Sequence, residues 1–286
     1  MRLLSWNCQW LGNSWTVRNF HNLVRAQAPN VCFLMETRLD RDGFMKHCRD
    51  LAYPNQLIVK KPDSGGGLAL IWKEDVRLEV INYTKNHVLA KVVEDNGFQW
   101  FLTGFYGWPE SCQKHKSWAL LKHLSLLVTS PWCCIGDFNA YLYSSKKLSN
   151  HLPQAKQMEE FGAALESCQL IDLGFWGYKF IWNNKRPSVA NTRERLDRAA
   201  ANKEWLDAFF ASSVSHEFLH APDHMPLLLQ IGKDNRLQGR VAQGFKFEEI
   251  WLLSEECEEL VGEAWGRSRD EGAFWSVLAI KFCIVG

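Results

Sequence analysis

The run Trp132-Cys133-Cys134-Ile135 leading into Gly136-Asp137-Phe138-Asn139 constrains this chain more than any other segment. Entered after Pro131, the apolar run has strand length, and a buried strand ending here delivers one carboxylate and one carboxamide to its C-terminal edge. Gly136 lets backbone and substrate come close, while Phe138, between the two polar residues, can turn back into the core. An acid and an amide projected together suit holding a water against a phosphate. Asp and Asn are also ordinary turn residues, so the tetrapeptide gains meaning only if other segments converge on it.

The N-terminal segment supplies the first of these. Arg2 to Asn7 reads as a buried strand and Gly12-Asn13 as a turn. Thr16 is placed as the cap of a helix with Val17, Phe20, Leu23 and Val24 on one face, ended by Pro29. Val31 to Met35 is the next buried strand, and Glu36 is its first polar residue. Strand, helix and strand at this spacing form a βαβ unit, which brings Asn7 and Glu36 to neighbouring C-terminal strand ends. An α/β sheet forms its ligand crevice at such ends.

A β-rich block follows. Residues 57–59, 68–72, 76–83, 87–93 and 98–106 read as strands, with turns at Gly65-Gly66-Gly67 and Asn96-Gly97. Tight turns between consecutive short strands predict antiparallel pairing, and Tyr106 ends the last of them. Residues 115–128 form an amphipathic helix that feeds the strand of Asp137; 158–168 and 202–210 are further helices. Residues 178–183, 214–218 and 227–231 read as strands, Asp223-His224 heading the last, and Arg195-Leu196-Asp197-Arg198 opens another element.

Beyond Gly232 the sequence becomes polar and linker-like, and 247–265 then reads as an acidic amphipathic helix. The expected division is a domain over residues 1–231 and a linker with a truncated helical connector over 232–286. The apolar end at Ile284-Val285-Gly286 reads as that of a fragment.

A chain of 286 residues can bury one full-sized core. Its net charge of +1 gives no global field that would announce a polyanion, so any nucleic-acid surface must be local. Nine cysteines, an odd number with no Cys-x-x-Cys pair, argue against a disulfide framework or structural zinc and for reduced thiols in an intracellular protein. Met1 runs directly into a strand without a signal-peptide pattern, and no apolar run is long enough to span a bilayer. The expectation is a soluble monomer without membrane partners.

Asn7, Glu36, Tyr106, Asp137 with Asn139, Asp197, and Asp223 with His224 each lie at the end of a strand-like run. One carboxylate to hold a divalent cation, another to take a proton from water, and neutral donors for phosphoryl oxygens suffice to hydrolyse a phosphodiester. Mg2+ prefers few carboxylates and keeps several waters, which fits a single Glu with helpers. Each residue also has an ordinary reading: Glu36 pairing with Arg38, Asp197 in a surface ion pair with Arg195 or Arg198, Tyr106 as a cross-strand aromatic, Asp223-His224 as a turn.

Ser5-Trp6-Asn7, Met35-Glu36-Thr37, Gly104-Phe105-Tyr106-Gly107, Gly136-Asp137-Phe138-Asn139, Arg195-Leu196-Asp197-Arg198 and Asp223-His224 resemble, in order, the motifs of the endonuclease/exonuclease/phosphatase superfamily. That group includes apurinic endonucleases and pancreatic deoxyribonuclease. Residues 4–13, 65–72, 178–183, 193–205 and 245–251 are closer still to the endonuclease domain of plant LINE-type (non-LTR) retrotransposons. The resemblance implies an α/β fold: a four-layer sandwich of two packed mixed β-sheets flanked by helices, DNase I-like. It implies a Mg2+-dependent endonuclease, with Mn2+ the alternative ion, that nicks DNA and leaves a 3′-hydroxyl, as in target-primed retrotransposition. In such elements a reverse transcriptase follows; this chain has no polymerase motif. The nucleus is the implied place of action on DNA, the cytoplasm otherwise.

Carried over by position, Glu36 and Asn7 hold the metal. Asp137 orients or deprotonates the attacking water, and Asn139 holds it or the phosphate. Tyr106 and His224 donate to phosphoryl oxygens, Asp223 orients His224 or assists the metal, and Asp197 is a supporting carboxylate. Lys146, Lys147, Lys185, Arg186, Arg193 and Arg198 fall in or beside loops around the same strand ends, and Lys185, Arg186, Arg193 and Arg198 are assigned to the DNA backbone. The absence of aromatics among them argues against a dedicated single-strand stacking groove. Trp10 stands where the family usually has Gly, so a bulkier or displaced loop is expected there. Gln9, Ala140 and Pro222 are further departures. Two alternatives remain: a phosphatase or phosphodiesterase of the same fold, and an inactive remnant that only binds nucleic acid.

Overall fold

The computed structural model describes residues 1–60, 67–143, 147–148 (backbone only), 155–186, 190–217, 219 and 223–232. The chain begins with β1 (Arg2–Asn7), α1 (Ser14–Gln27), β2 (Val31–Met35), α2 (Arg41–Cys48), β3 (Asn55–Val59) and β4 (Leu68–Trp72). Next come β5 (Arg77–Thr84), β6 (His87–Val93), β7 (Gln99–Tyr106), α3 (Lys114–Leu127), β8 (Trp132–Asp137), β9 (Lys147–Leu148) and α4 (Ala155–Ser167). The last elements are β10 (Ile171–Asp172), β11 (Trp182–Asn183), β12 (Arg193–Glu194), β13 (Asp197–Ala201), α5 (Lys203–Ala208), β14 (Ser213–His216) and β15 (Leu227–Gln230).

Two six-stranded sheets result, in the orders β14-β15-β1-β2-β4-β3 and β10-β13-β8-β7-β6-β5, beside a small sheet β11-β12-β9. Each large sheet is mixed. One parallel pair, β1–β2 or β7–β8, sits among antiparallel neighbours. The antiparallel pairing expected through the β-rich block holds for β3–β4 and for β5–β6–β7. It fails between β4 and β5, because the connector Lys73-Glu74-Asp75 takes the chain from one sheet to the other.

Strand alternation makes the layers. Leu3, Phe33 and Leu70 from one sheet meet Val88, Leu102, Ile135 and Ala199 from the other in the central core. The intervening residues face outwards. Leu4, Trp6 and Leu34 pack under Phe20 of α1 and Phe44 of α2, while Leu89, Phe105 and Cys134 pack under Trp118 of α3 and Phe161 of α4. Helix, sheet, sheet and helix are the four layers expected. Close approach of the sheets depends on Gly104, where an added Cβ would lie 2.5 Å from the ring of Phe33. The cysteines among the described residues are all free, and all but Cys112 are buried as small apolar groups.

Local differences have local causes. Asn13, not Thr16, caps α1: its side-chain oxygen accepts from Trp15 N at 2.8 Å, and the helix starts before the apolar stripe because Trp15 faces outwards. α2 was not expected, since only Phe44 and Cys48 of its eight residues are buried. The strand expected over 178–183 shrinks to Trp182–Asn183, the rest making single contacts such as Met225 N to Ile181 O. Gly65-Gly66, Lys146, Pro222, the linker from Lys233 and the helix expected over 247–265 lie outside the described residues, as does the side chain of Lys147. No helix of the described residues is long and apolar enough to cross a membrane.

Candidate active site

Pairing direction brings the polar strand ends to one edge. β1 and β2 run parallel with Asn7 opposite Met35, so Glu36 follows beside Asn7. β7 and β8 run parallel with Tyr106 opposite Asp137. β13 runs antiparallel to β8, which sets its first residue, Asp197, opposite Asp137. β15 runs antiparallel to β1, so His224, just before it, reaches the same edge, where its carbonyl accepts from Trp6 Nε1 at 2.9 Å. Two of the groups thus come from the starts of antiparallel strands, not from C-terminal strand ends.

Parity then aims the side chains between the sheets. Asn7 shares the inward face of Leu3, Tyr106 that of Leu102, Asp137 that of Ile135, and Asp197 that of Ala199. Glu36 breaks the pattern. The residue after inward-facing Met35 belongs on the outer face, but Glu36 adopts a left-handed φ of 53° and returns its carboxylate to the cleft. Such a non-glycine conformation costs on the order of 1–3 kcal/mol, and the site's hydrogen bonds hold it in place.

Those bonds stitch the sheets together. Asn7 Nδ2 donates to Glu36 Oε1 at 2.8 Å and to Asp137 Oδ2 at 3.0 Å. Tyr106 donates its hydroxyl proton to Glu36 Oε1 at 2.9 Å. Asn139 N donates to Asp137 Oδ1 at 2.8 Å, and Asn139 Nδ2 to the Gly107 carbonyl at 2.9 Å. His224 Nδ1 lies 2.8 Å from Asp197 Oδ2 and 3.8 Å from Asp137 Oδ2. Gly136 underlies the arrangement: with φ 147°, an added Cβ would meet the Phe105 carbonyl oxygen at 2.0 Å.

Seven of the sequence-selected residues therefore meet, and two assignments need correction. Asp223 does not orient His224; it pairs with Lys185, and Asp197 takes the imidazole. Arg198 is 1% exposed and cannot reach a DNA backbone. Its guanidinium binds Asp172 and the carbonyls of Ala140 and Arg195 and lies over the Phe161 ring. Asp197 is likewise buried, so it is no surface ion pair. Arg193 is half-buried against Tyr178 and Asn191, while Lys185 and Arg186 are exposed near the cleft mouth and on its loop. Asp172, which joins Arg195 and Arg198, was missed. Trp10 does not fill the cleft; its indole is 49% exposed and lies against Gly12.

A model of the endonuclease/exonuclease/phosphatase family matches residues 4–219. The chain belongs to that family. No curated protein sequence matches it. Among solved structures, the endonuclease domain of TRAS1, a telomere-specific non-LTR retrotransposon, superposes with a TM-score of 0.61 at 13% identity, covering 80% of this chain and 97% of that one. The 3′ phosphatase NExo from Neisseria, bound to a product DNA hairpin, gives 0.60 at 16%, covering 81% and 99%. The AP endonuclease LMAP from Leishmania major gives 0.61 at 12%, covering 82% and 88%. At such identities the likeness establishes the fold, which is the DNase I-like sandwich of the endonuclease/exonuclease/phosphatase family.

Within this family member the cleft polarises its own acids and bases. Burial, then the Asp197 carboxylate, raises Asp137 to about 6, against the pull of His224 and the Asn7 and Asn139 hydrogen bonds. Burial disfavours the charged imidazole of His224, but the Asp197 and Asp137 carboxylates outweigh it and raise the group to about 9. At neutral pH the histidine is a cationic donor. Burial, then Glu36 and Asp137, keeps the Tyr106 phenol far above its ordinary value and therefore protonated.

The donor chemistry fits a hard divalent cation. Glu36 offers carboxylate oxygens, and Asn7 Oδ1 has only a long contact, 3.3 Å, from Gln9 N. Asp137, Asp197 and His224 also place one ligand atom each within 4.8 Å of one another. There, however, Nδ1 is engaged with Asp197, and the group is better suited to moving and holding protons. Asp197 Oδ1 is buried with no hydrogen-bond partner among the described residues.

Proposed function

We propose that this chain is a Mg2+-dependent endonuclease that hydrolyses a DNA phosphodiester and leaves a 3′-hydroxyl, with Mn2+ as the alternative ion. The supporting observation is the unbroken network from Tyr106 through Glu36, Asn7, Asp137 and His224 to Asp197, which links both sheets at one edge. Such a cleft presents an oxygen donor set, a carboxylate able to accept a proton and two charged or neutral donors within reach of one phosphate.

In this reading Asp137, with Asn139 beside it, holds a water for in-line attack on phosphorus. The water proton passes to the Asp137 carboxylate, whose raised pKa makes it a competent acceptor. The phosphorus–O3′ bond breaks, O3′ takes up a proton from solvent as the 3′-hydroxyl, and the phosphate stays on the 5′ side. Nε2 of His224, its Nδ1 held by Asp197, and the Tyr106 hydroxyl donate to the non-bridging oxygens. Glu36 and Asn7 would hold the cation, which would offset the negative charge on the phosphoryl group.

Lys185, Arg186 and Arg193 are the backbone contacts we assign. The plant LINE-type wording of the motifs supports a retrotransposon endonuclease acting as a monomer in the nucleus. Its 3′-hydroxyl would prime a reverse transcriptase encoded beyond this chain. Residues 1–231 are the nuclease domain in this reading, and the remainder is its connector. Product ends test it: a plasmid nicked in Mg2+ should be extended by a DNA polymerase without end repair. A nick that is extended only after phosphatase treatment contradicts the proposed bond cleavage. The second reading, a phosphatase, gains its support from the fold shared with NExo. Faster release of phosphate from a 3′-phosphorylated oligonucleotide than nicking would favour it.

A further inference from the structure

A groove of about 420 Å3 opens beside the proposed catalytic centre, its lining shared by Asn7 and His224 of that centre with Trp10, Trp15 and Lys185. Both tryptophans are exposed, at 49% and 38%. They are also well placed by the backbone. The loop that carries Trp10 is tied down by Trp10 N to Cys8 O, Leu11 N to Thr37 O and Asn13 N to Trp10 O. Gly12 seats the indole, since an added Cβ there would come within 2.4 Å of Trp10 Nε1. Trp15 stands in the first turn of α1, its amide N–H taken by the Asn13 side chain.

Two exposed tryptophans lining one groove, next to the group that is to bind a phosphate, match the chemistry of an unstacked nucleobase. The volume suits a nucleoside-sized ligand. On the far side of the Gly12 turn a second groove is lined by Arg18 and Arg25 of α1, so positive charge continues along that helix past the aromatic pair. The Lys185–Asp223 pair at the mouth is neutral as it stands, and an arriving phosphate would compete with Asp223 for the lysine.

We propose that the Trp10–Trp15 groove binds one unpaired base of the substrate strand, next to the scissile phosphate, by stacking. This rests on the nuclease reading for its substrate and predicts a preference for sites where a base is already unpaired. It is a single-base pocket rather than a long stacking groove. Trp10, in a position where the family resemblance leads one to expect glycine, supplies one of its two walls.

Binding is read in EDTA, independently of turnover, with a short single-stranded oligonucleotide containing 2-aminopurine and the full chain. Stacking on an indole should quench the probe. Trp10→Ala and Trp15→Ala should each weaken the quenched complex about ten-fold, Trp10→Phe should keep it, and Gly12→Ala should weaken it by displacing the indole. A second arm compares nicking of a duplex with one bulged base against a fully paired duplex; Trp10→Ala should lower that ratio. Unquenched probe, or equal quenching by wild type and Trp10→Ala, overturns the proposal. Thermal melting of each variant confirms that it is folded, and Trp15→Ala carries the test if Trp10→Ala melts early. Quenching without any nicking would refute the nuclease reading while leaving the base site standing.

Discussion

His224 owes its positive charge to two buried carboxylates, and that dependence gives the site a pH signature. Turnover in the proposed mechanism needs Asp137 ionised, with its pKa about 6, and His224 protonated, with its pKa about 9. A bell-shaped kcat/KM profile with limbs near those values is expected, measured at fixed metal concentration. Asp197→Asn should move the upper limb down and reduce kcat about a hundred-fold, because the imidazole loses its oriented charged partner. An unmoved upper limb in Asp197→Asn would contradict the role given to Asp197. Stability follows the same groups. The folded pKa of His224 is raised from 6.5 to about 9, so its stabilisation is complete below pH 6.5 and is lost as pH rises through 9. Asp137, raised from 3.8 to about 6, also favours the protonated folded state, so what it contributes at acid pH is lost as pH rises through 6. The metal-free protein should therefore melt at lower temperature at pH 9 than at pH 6, and Asp197→Asn should flatten the upper part of that fall. Residue types at strand ends were legible from sequence; their pairings were not. Asp223 precedes His224 in the chain, yet a neighbour in sequence points elsewhere, and the imidazole finds Asp197 only because β13 runs antiparallel to β8. Arg198 reads as a surface charge beside Asp197, although the Ala199-Ala200-Ala201 run after it signals a strand buried on both faces.

At the scale of the element, the strands were readable because buried strands in a sandwich announce themselves as continuous apolar runs bounded by turn residues. Their partners were less so. Nothing local distinguishes the connector after β4, which changes sheet, from the hairpin that joins β5 to β6. The left-handed turn at Glu36 is equally silent, since a Glu after an apolar strand carries no signal for positive φ. Gly136 is the element-scale position whose chemistry is clearest. Its φ of 147° and the 2.0 Å approach of a Cβ to the Phe105 carbonyl leave no room for a side chain between β7 and β8. Gly136→Ala should destabilise by roughly 3 kcal/mol or more in chemical denaturation, a size reserved for buried steric defects. A loss below about 1 kcal/mol, the ordinary effect of a substitution, would mean that the strand pair can open at little cost.

For the whole molecule, the active edge is where two separately built sheets are joined by side chains. The central core ends in polar residues there, so the inward face that buries Leu3 and Ile135 also presents Asn7 and Asp137. A sandwich of this kind concentrates chemistry from the first strand to the last, which is why six short motifs spread along the chain were enough to point at one site. Relaxation of supercoiled plasmid by the purified chain tests that convergence most directly, in Mg2+ and in chelator, for wild type, Asp137→Ala and His224→Ala. Nicking by wild type in Mg2+ alone, with loss of at least about a hundred-fold in both variants, is expected. Equal nicking by the variants, or activity that survives chelation, would contradict a metal-dependent centre built from these residues.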